Sequence, residues 1–292
     1  MTWPVMGAHS GDMLAPLSLA TEICETPENI RANLIRTLST EYKTFNKRLL
    51  TKGGSVLSIC GSGPSLRREF HKTKGDVLAC NAAHDFLVRN NRKPDFGMVW
   101  DADKVVNKFI TPTKGVEYLL ASRCHPEVFD RFAGYDVTVW HAGGDECLPD
   151  LLDEYNKPEP IINGGSAAVV RGMFIAAAMG YREMHIFGAD SSYEGDASHF
   201  QTSVVEEQPL NVYCLGKWFK TTPWLAVQVE DFKLIAPALR DGGAKIVVYG
   251  DGLLPHVASE LGFEVHSERE EQLADFYGPD FAGSQLAQFS TT

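Results

Sequence analysis

Apolar positions along this chain follow two periods, and the change falls at Gly53-Gly54. Before it, Ile30, Leu34, Leu38, Tyr42, Phe45 and Leu49 return every three or four residues, the spacing of one buried helix face. Thr26 is placed to cap that helix, Pro27 suits its first turn, and Glu28 favours its positive N-terminal end. The first 25 residues carry no period and are expected to form an arm.

After the glycine pair, short apolar runs alternate with helical stretches. Strands are predicted at Val56–Cys60, Val77–Cys80, Phe96–Trp100, Glu117–Ala121, Val137–Trp140, Glu183–Phe187 and Lys245–Tyr249. Helices are predicted over 82–90, 103–109, 125–131, 166–179, 224–239 and 253–261. This alternation predicts an α/β fold, Rossmann-like, with a mostly parallel sheet and helices on both faces. Residues 1–52 are read as an arm and helix, 53–266 as the Rossmann-like domain, and 267–292 as a tail that begins with an acidic cluster and frays.

The 292 residues are 44% hydrophobic and 22% charged, an ordinary globular balance. Lys and Arg total 27 against 38 Asp and Glu, a net charge of -11, which argues against a sequence-blind nucleic-acid binder. The densest basic stretch, Arg67, Arg68, His71, Lys72 and Lys74, could form a local basic groove, against the commoner reading of a solvated helix face. No apolar run approaches the ~20 residues of a membrane span, and Met1 to Gly11 lack the order of a signal peptide. Six cysteines contain no CxxC pair, so a zinc site or disulfide framework is not expected and a reducing cytoplasm is the expected compartment. His84, His125, His141, His185 and His256 show no metal-like spacing.

Ligands of open parallel sheets bind at the carboxyl ends of strands, so the residues just after each strand carry the chemistry. Gly61-Ser62-Gly63-Pro64-Ser65 follows the first strand, and its glycines would let backbone amides approach a phosphate. The sixth position is Leu66 and the next strand ends in Asn81, so the dinucleotide fingerprint, with its third glycine and ribose-binding acid, is incomplete. Asn81 could read a base or ribose, or serve as a turn residue or cap. Asp101 and Asp103, one residue apart after a strand, could hold magnesium and its nucleotide phosphates; Asp103 could equally cap the next helix. Gly164-Gly165-Ser166 precedes an alanine-rich helix, with Ser166 as its cap and free amides beside it. Asp190 follows the strand ending at Phe187 and opens a long loop, Ser191 to Thr222, with a hairpin expected around Gly216-Lys217. In that loop His199 is the candidate general base, with Asp190 to orient it or bind metal.

Together, Gly61-Ser62-Gly63-Pro64-Ser65-Leu66, Cys80-Asn81, Pro94-Asp95-Phe96 with Asp101, Gly164-Gly165-Ser166, Gly180-Tyr181 and Gly188-Ala189-Asp190 with His199 resemble the MptE-like domain family over about residues 53 to 250. That family includes archaeal 6-hydroxymethylpterin diphosphokinases and motility accessory factors, and its fold is similar to that of bacterial CMP-sialic-acid sialyltransferases. The resemblance implies a nucleotide-dependent transferase. Its donor would be a CMP-sugar or other nucleotide sugar, or ATP with Mg2+ in a diphosphokinase. A nucleotide-binding module without catalysis is the third reading. Gly61, Gly63 and Asn81 would contact nucleotide, Gly165 and Ser166 the phosphates or donor, and His199 would take the acceptor proton. Tyr193 stands where a leaving-phosphate tyrosine is found in the sialyltransferases, with Ser191-Ser192 intervening. The acceptor is open among a glycan, a protein, a pterin and a modified nucleobase, as is homo-oligomeric assembly.

Overall fold

The computed structural model describes the backbone of Gly7–Ser10 and Met13–Pro16, and residues 25–45, 56–199 and 209–268. Helix α1 (Pro27–Leu38) starts as expected, with Asn29 N–H donating to the Thr26 side chain. It ends eleven residues before the apolar period does. Ser39 and Thr40 turn their hydroxyls back onto the carbonyls of Ile35 and Arg36, a local bond that competes with continuing the helix. The chain then runs extended, exchanging Phe45 N–H to Val139 O and Val139 N–H to Lys43 O, both 2.7 Å. Phe45 is thereby buried in the sheet's core rather than on a helix. Leu49 and the glycine pair at 53–54 lie outside the described residues.

Nine parallel strands form the sheet, so the fold is Rossmann-like α/β. In chain order they are β3 (Val56–Cys60), β4 (Asp76–Cys80), β5 (Phe96–Val99), β6 (Glu117–Ala121), β7 (Asp136–Ala142), β8 (Ile161–Ile162), β9 (Glu183–Phe187), β12 (Lys245–Tyr249) and β13 (Glu264–His266). Across the sheet they run β13-β12-β9-β3-β4-β5-β6-β7-β8. Every predicted strand is present; β8 and β13, at the two edges, are short additions. Alternation sorts the side chains by face. Leu57, Ile59, Leu78, Cys80, Met184 and Ile186 face a core shared with α6 (Ala168–Ala178) and α7 (Pro223–Asp241). Cys60, Val77, Ala79 and Val247 face the other way, toward Leu66 of the short α2 (Leu66–Glu69) and Leu87 of α3 (Ala83–Arg89). Gly172 lets α6 lie close: a Cβ there would sit 3.1 Å from Ile59 and 3.3 Å from Leu78.

Helix α4 (Pro126–Arg131) is capped by His125, and α5 (Leu148–Glu154), which the apolar pattern did not predict, packs against α1. The predicted helix at 103–109 is a 3-10 turn, Lys104–Lys108. The expected hairpin forms from β10 (Leu210–Cys214) and β11 (Lys217–Thr221), turning at Leu215-Gly216, both at positive φ. Such a pair of positive φ values matches the twist of the strands it joins. The N-terminal arm is not wholly without structure. Strands β1 (Gly7–Ser10) and β2 (Met13–Pro16) extend the hairpin into a four-stranded sheet, β11-β10-β1-β2. Helix α8 (Leu253–Glu260) completes the layer beside α7. The tail beyond Glu268 lies outside the described residues.

The turns after β3 and β9 touch backbone to backbone. A Cβ on Gly61 would meet Gly188 O and Val169 Cγ2, each at 2.5 Å. Gly61→Ala is therefore expected to lose about 1–3 kcal/mol of stability by overpacking, read as a lower midpoint in equilibrium urea unfolding.

Candidate functional site

Strand order reverses between β3 and β9, with β4 to β8 running out on one side and β12 and β13 on the other. Open α/β sheets bind ligands outside the strands' carboxyl ends at such a reversal. Gly61-Ser62-Gly63-Pro64-Ser65 leaves β3 there and Gly188-Ala189-Asp190 leaves β9 beside it. Each turn holds the other: Gly61 N–H donates to Phe187 O and Gly63 N–H to Gly188 O, both 2.8 Å. Those two amides are engaged within the protein, and a Cβ on Gly63 would overlap the Asp190 carboxylate. Ser62 is the partly exposed member of the turn.

Asp190 accepts from Ser65 N–H and Ser65 Oγ, both 3.0 Å. Burial pushes its pKa up to about 7; the Ser65 bonds pull against that shift and the Asp251 charge adds to it. The orientation of His199 by Asp190 expected from the sequence is not made. His199 is half-buried, with Nδ1 2.9 Å from Ser198 Oγ. Asp190 instead lines a cavity of about 310 Å³. Pro64, Ser65, Arg68 and Tyr193 line it with Asp190, the hairpin segment Lys217–Lys220 forms one wall, and Asp251-Gly252 after β12 forms another. Arg68 bridges two of these walls, Nη1 to Glu194 Oε1 at 2.6 Å and Nη2 to Asp251 Oδ1 at 2.8 Å. It does not belong to the solvated face expected of its basic stretch. Tyr193 N–H donates to Lys220 O at 2.7 Å, and Lys220 Nζ lies 5.0 Å from the Tyr193 ring centroid.

A second group of side chains occupies the same edge over β4 to β8. Asn81 sits at φ 47°, a left-handed conformation that Asn tolerates, and donates its N–H to Met98 O. It does not cap α3, and its buried Oδ1 has no hydrogen-bond partner. Asp101 Oδ1 accepts from Asp103 N–H at 3.1 Å, and Asp103 Oδ1 caps the 3-10 turn through Val105 N–H at 2.8 Å. Burial raises the Asp101 pKa above the usual carboxylate value. Arg171 is buried, with Nη1 on Gly143 O and Ile162 O and Nη2 on Gly165 O. Burial, then the Arg123 charge, pushes its pKa down to about 10. The Trp100 ring lies 4.5 Å from the Arg171 guanidinium and 5.4 Å from that of Arg123, which pairs with Asp145. Gly164 and Gly165 take positive φ, but Ser166 is not the cap of α6. Its N–H and Oγ both bind Asp231 Oδ2, at 2.6 and 2.7 Å, which leaves Ala167 at the cap position with no side-chain acceptor.

Among the described residues no three His, Cys, Asp or Glu side chains are grouped to hold a metal ion. The Asp101/Asp103 pair is laid out as a turn and a cap, each carboxylate having one oxygen on a backbone amide. No helix among the described residues is long and apolar enough to cross a membrane.

A family model described as 6-hydroxymethylpterin diphosphokinase MptE-like matches residues 28–196. The chain belongs to the MptE-like family. A search of curated proteins finds no match. Among solved structures, this MptE-like chain is similar to the MAf glycosyltransferase of Magnetospirillum magneticum AMB-1, at 16% identity and a TM-score of 0.58. The match covers 82% of this chain and 38% of that one, so the chain spans under two fifths of that protein's length. Two sialyltransferases of Campylobacter jejuni align more loosely: Cst-I at 16% identity and a TM-score of 0.37, covering 72% of this chain and 78% of its own, and CstII at 14% and 0.34, covering 72% and 84%.

Sequence reasoning missed Arg68, Arg123, Arg171, Trp100 and Asp251 as members of this edge. Arg123 and Asp251 each stand two residues past a strand, so the rule that found Asp101 would have found them. The Asp190 carboxyl supplies a pH test. Folded protein holds that proton up to about pH 7, whereas an unfolded Asp releases it near about 4. Its contribution to stability is therefore complete below about pH 4 and is lost as pH rises through 7. Asp190→Asn, which keeps an oxygen acceptor for Ser65, is expected to narrow the difference in Tm between pH 5 and pH 8 relative to the parent; an unchanged difference would refute the assignment.

Proposed function

We propose that this MptE-like chain is a nucleotide-dependent transferase that moves a sugar from a nucleotide-activated donor to an acceptor hydroxyl. Asn81 carries the reading. Its carboxamide oxygen is buried without a partner at the end of β4, next to the Gly61–Ser65 turn. A buried acceptor left empty costs about 1–3 kcal/mol, and a ribose hydroxyl or base amine would fill it. Beside it, Val169 in the first turn of α6 packs on Gly61, and that helix end has no side-chain cap. Uncapped amides at a helix start favour the negative charge of a donor phosphate. In this reading Gly61, Ser62 and Asn81 hold the nucleoside, and Gly164, Gly165 and the α6 amides face the phosphate. His199 is the proposed base for the acceptor hydroxyl, with a pKa class suited to proton transfer near neutrality. The fold shared with a MAf glycosyltransferase supports the class.

The family description favours a second reading, transfer of diphosphate from ATP to a pterin-like alcohol. Such a reaction develops charge on several phosphate oxygens and relies on metal to meet it. Asp101 and Asp103, each with one carboxylate oxygen on a backbone amide, are the residues that would hold such a metal.

A thermal-shift panel of CMP, CDP, UDP, GDP, ATP and AMP, each with and without magnesium, separates the readings. Ligand that binds only the folded chain raises Tm, by about 2.7 kcal/mol of stability at a hundredfold excess over Kd. Stabilisation by CMP or a sugar-donor diphosphate without magnesium is expected. Stabilisation by ATP alone, and only with magnesium, would transfer the assignment to the diphosphokinase. Turnover by Asp101→Asn makes the same distinction, being largely retained in a metal-independent sugar transfer and abolished in a diphosphokinase.

A further inference from the structure

The 310 Å³ cavity lies beside the proposed nucleotide contacts: Pro64, Ser65 and Tyr193 line it, while Gly61, Asn81, Asp101 and Gly164–Ser166 do not. Its volume is at the small end of ligand pockets, about 300–1,000 Å³, enough for a single substituted ring. Most of its charges are matched within the protein; Lys217, over the Phe219 ring, makes no ion pair among the described residues. Arg68 is held between Glu194 and Asp251, and Lys220 pairs with Asp196. An anionic ligand would meet Glu194 and Asp251, a cation would meet Arg68 and Lys217, and an apolar ligand would bury these groups without partners. One wall is aromatic. Trp218 is 39% exposed, and its ring is set by Tyr213, 5.2 Å away between centroids. Hydroxyls of Ser65 and Ser192 complete a lining of paired charges, hydroxyls and an aromatic face. A ring with several hydroxyls and an apolar C–H face meets every part of that lining. We propose that this cavity is the acceptor subsite and takes a neutral pyranose, stacked on Trp218 and hydrogen-bonded through Glu194, Asp251 and Ser192. The acceptor is thus a glycan. The word acceptor rests on the transferase reading above; the sugar site itself does not.

Saturation-transfer NMR on the full chain, with methyl glycosides of glucose, galactose and N-acetylglucosamine, tests it. At least one glycoside is expected to receive saturation on its C–H face, with binding about tenfold weaker in Trp218→Ala, the loss of one aromatic contact. Glu194→Gln is expected to weaken it as well. Trp218 and Glu194 are exposed side chains, and an unchanged Tm shows that each variant folds. No saturation with any of the three, or equal binding in both variants, overturns the proposal. Competitive displacement of the glycoside by CMP or UDP also overturns it, since the ring would then belong to the donor. Nucleotide stabilisation without any glycoside signal removes this inference and leaves the transferase standing. A glycoside signal without nucleotide stabilisation keeps the sugar site and removes the transferase.

Discussion

The contact between the turns after β3 and β9 is the constraint on which the site depends. Two backbones meet at a separation that excludes a Cβ on either side: one added to Gly188 would lie 2.5 Å from Gly61 O. This fixes Asp190 over Ser65, whose N–H and hydroxyl both point at one carboxylate oxygen. The turn after β12 closes on the same group, since a Cβ on Gly250 would stand 3.0 Å from Asp190 Oδ1 and one on Gly252 would overlap Asp190 O. Three strands on the two sides of the reversal thus converge on one buried carboxyl. An ionised carboxylate there is strongly disfavoured unless it is paired, and its near-neutral pKa is the physical consequence. The cavity wall, the Arg68 bridge and the hairpin are all positioned relative to this point.

The parallel sheet was legible because doubly covered strands read as unbroken apolar runs bounded by glycines. What local pattern could not carry was any choice between a near partner and a far one. Ser166 looks like a helix cap, yet it binds Asp231, 65 positions away. Arg68 sits in a basic run, yet its partners lie 126 and 183 positions along the chain. The arm at Gly7–Ser10 is strand because it pairs with β2 and, across the chain, with β10. The apolar period of α1 overran its end because Tyr42, half-buried, and Phe45, buried, still pack on the core from extended chain that pairs with β7. Burial preserved the sequence signal while the conformation changed. Of the site, the turns after strands were visible and their occupants' bonding was not.

Charge along this edge runs against the acidity of the whole. In a chain of net charge -11, Arg123 and Arg171 lie against Trp100. Arg171 makes no ion pair among the described residues; Asp145 and Asp231 act on it through space. Its buried charge is met by three carbonyls and an aromatic face, a set that suits a planar fork of donors and not the single ammonium of Lys. Because those carbonyls belong to Gly143, Ile162 and Gly165, one side chain ties the turn after β7 to the turn before α6. The conformation of Gly164-Gly165 is therefore held from beneath by Arg171 and from the side by Asp231.

Where a transferase meets developing negative charge separates sugar transfer from diphosphate transfer on such an edge. Metal-assisted phosphoryl transfer needs carboxylates free to face an ion. Here each carboxylate also has a structural contact: Asp103 caps, Asp101 closes a turn, Asp190 holds Ser65 and Asp145 pairs with Arg123. An anion would also be met by the first-turn amides of α6, which have no side-chain cap and a fixed orientation. Preorganised dipoles of that kind stabilise a leaving phosphate without reorganising during the reaction. Under the proposed reading, the interlocked glycine turns aim that helix end, and the carboxylates keep the edge rigid while leaving the phosphate to the backbone.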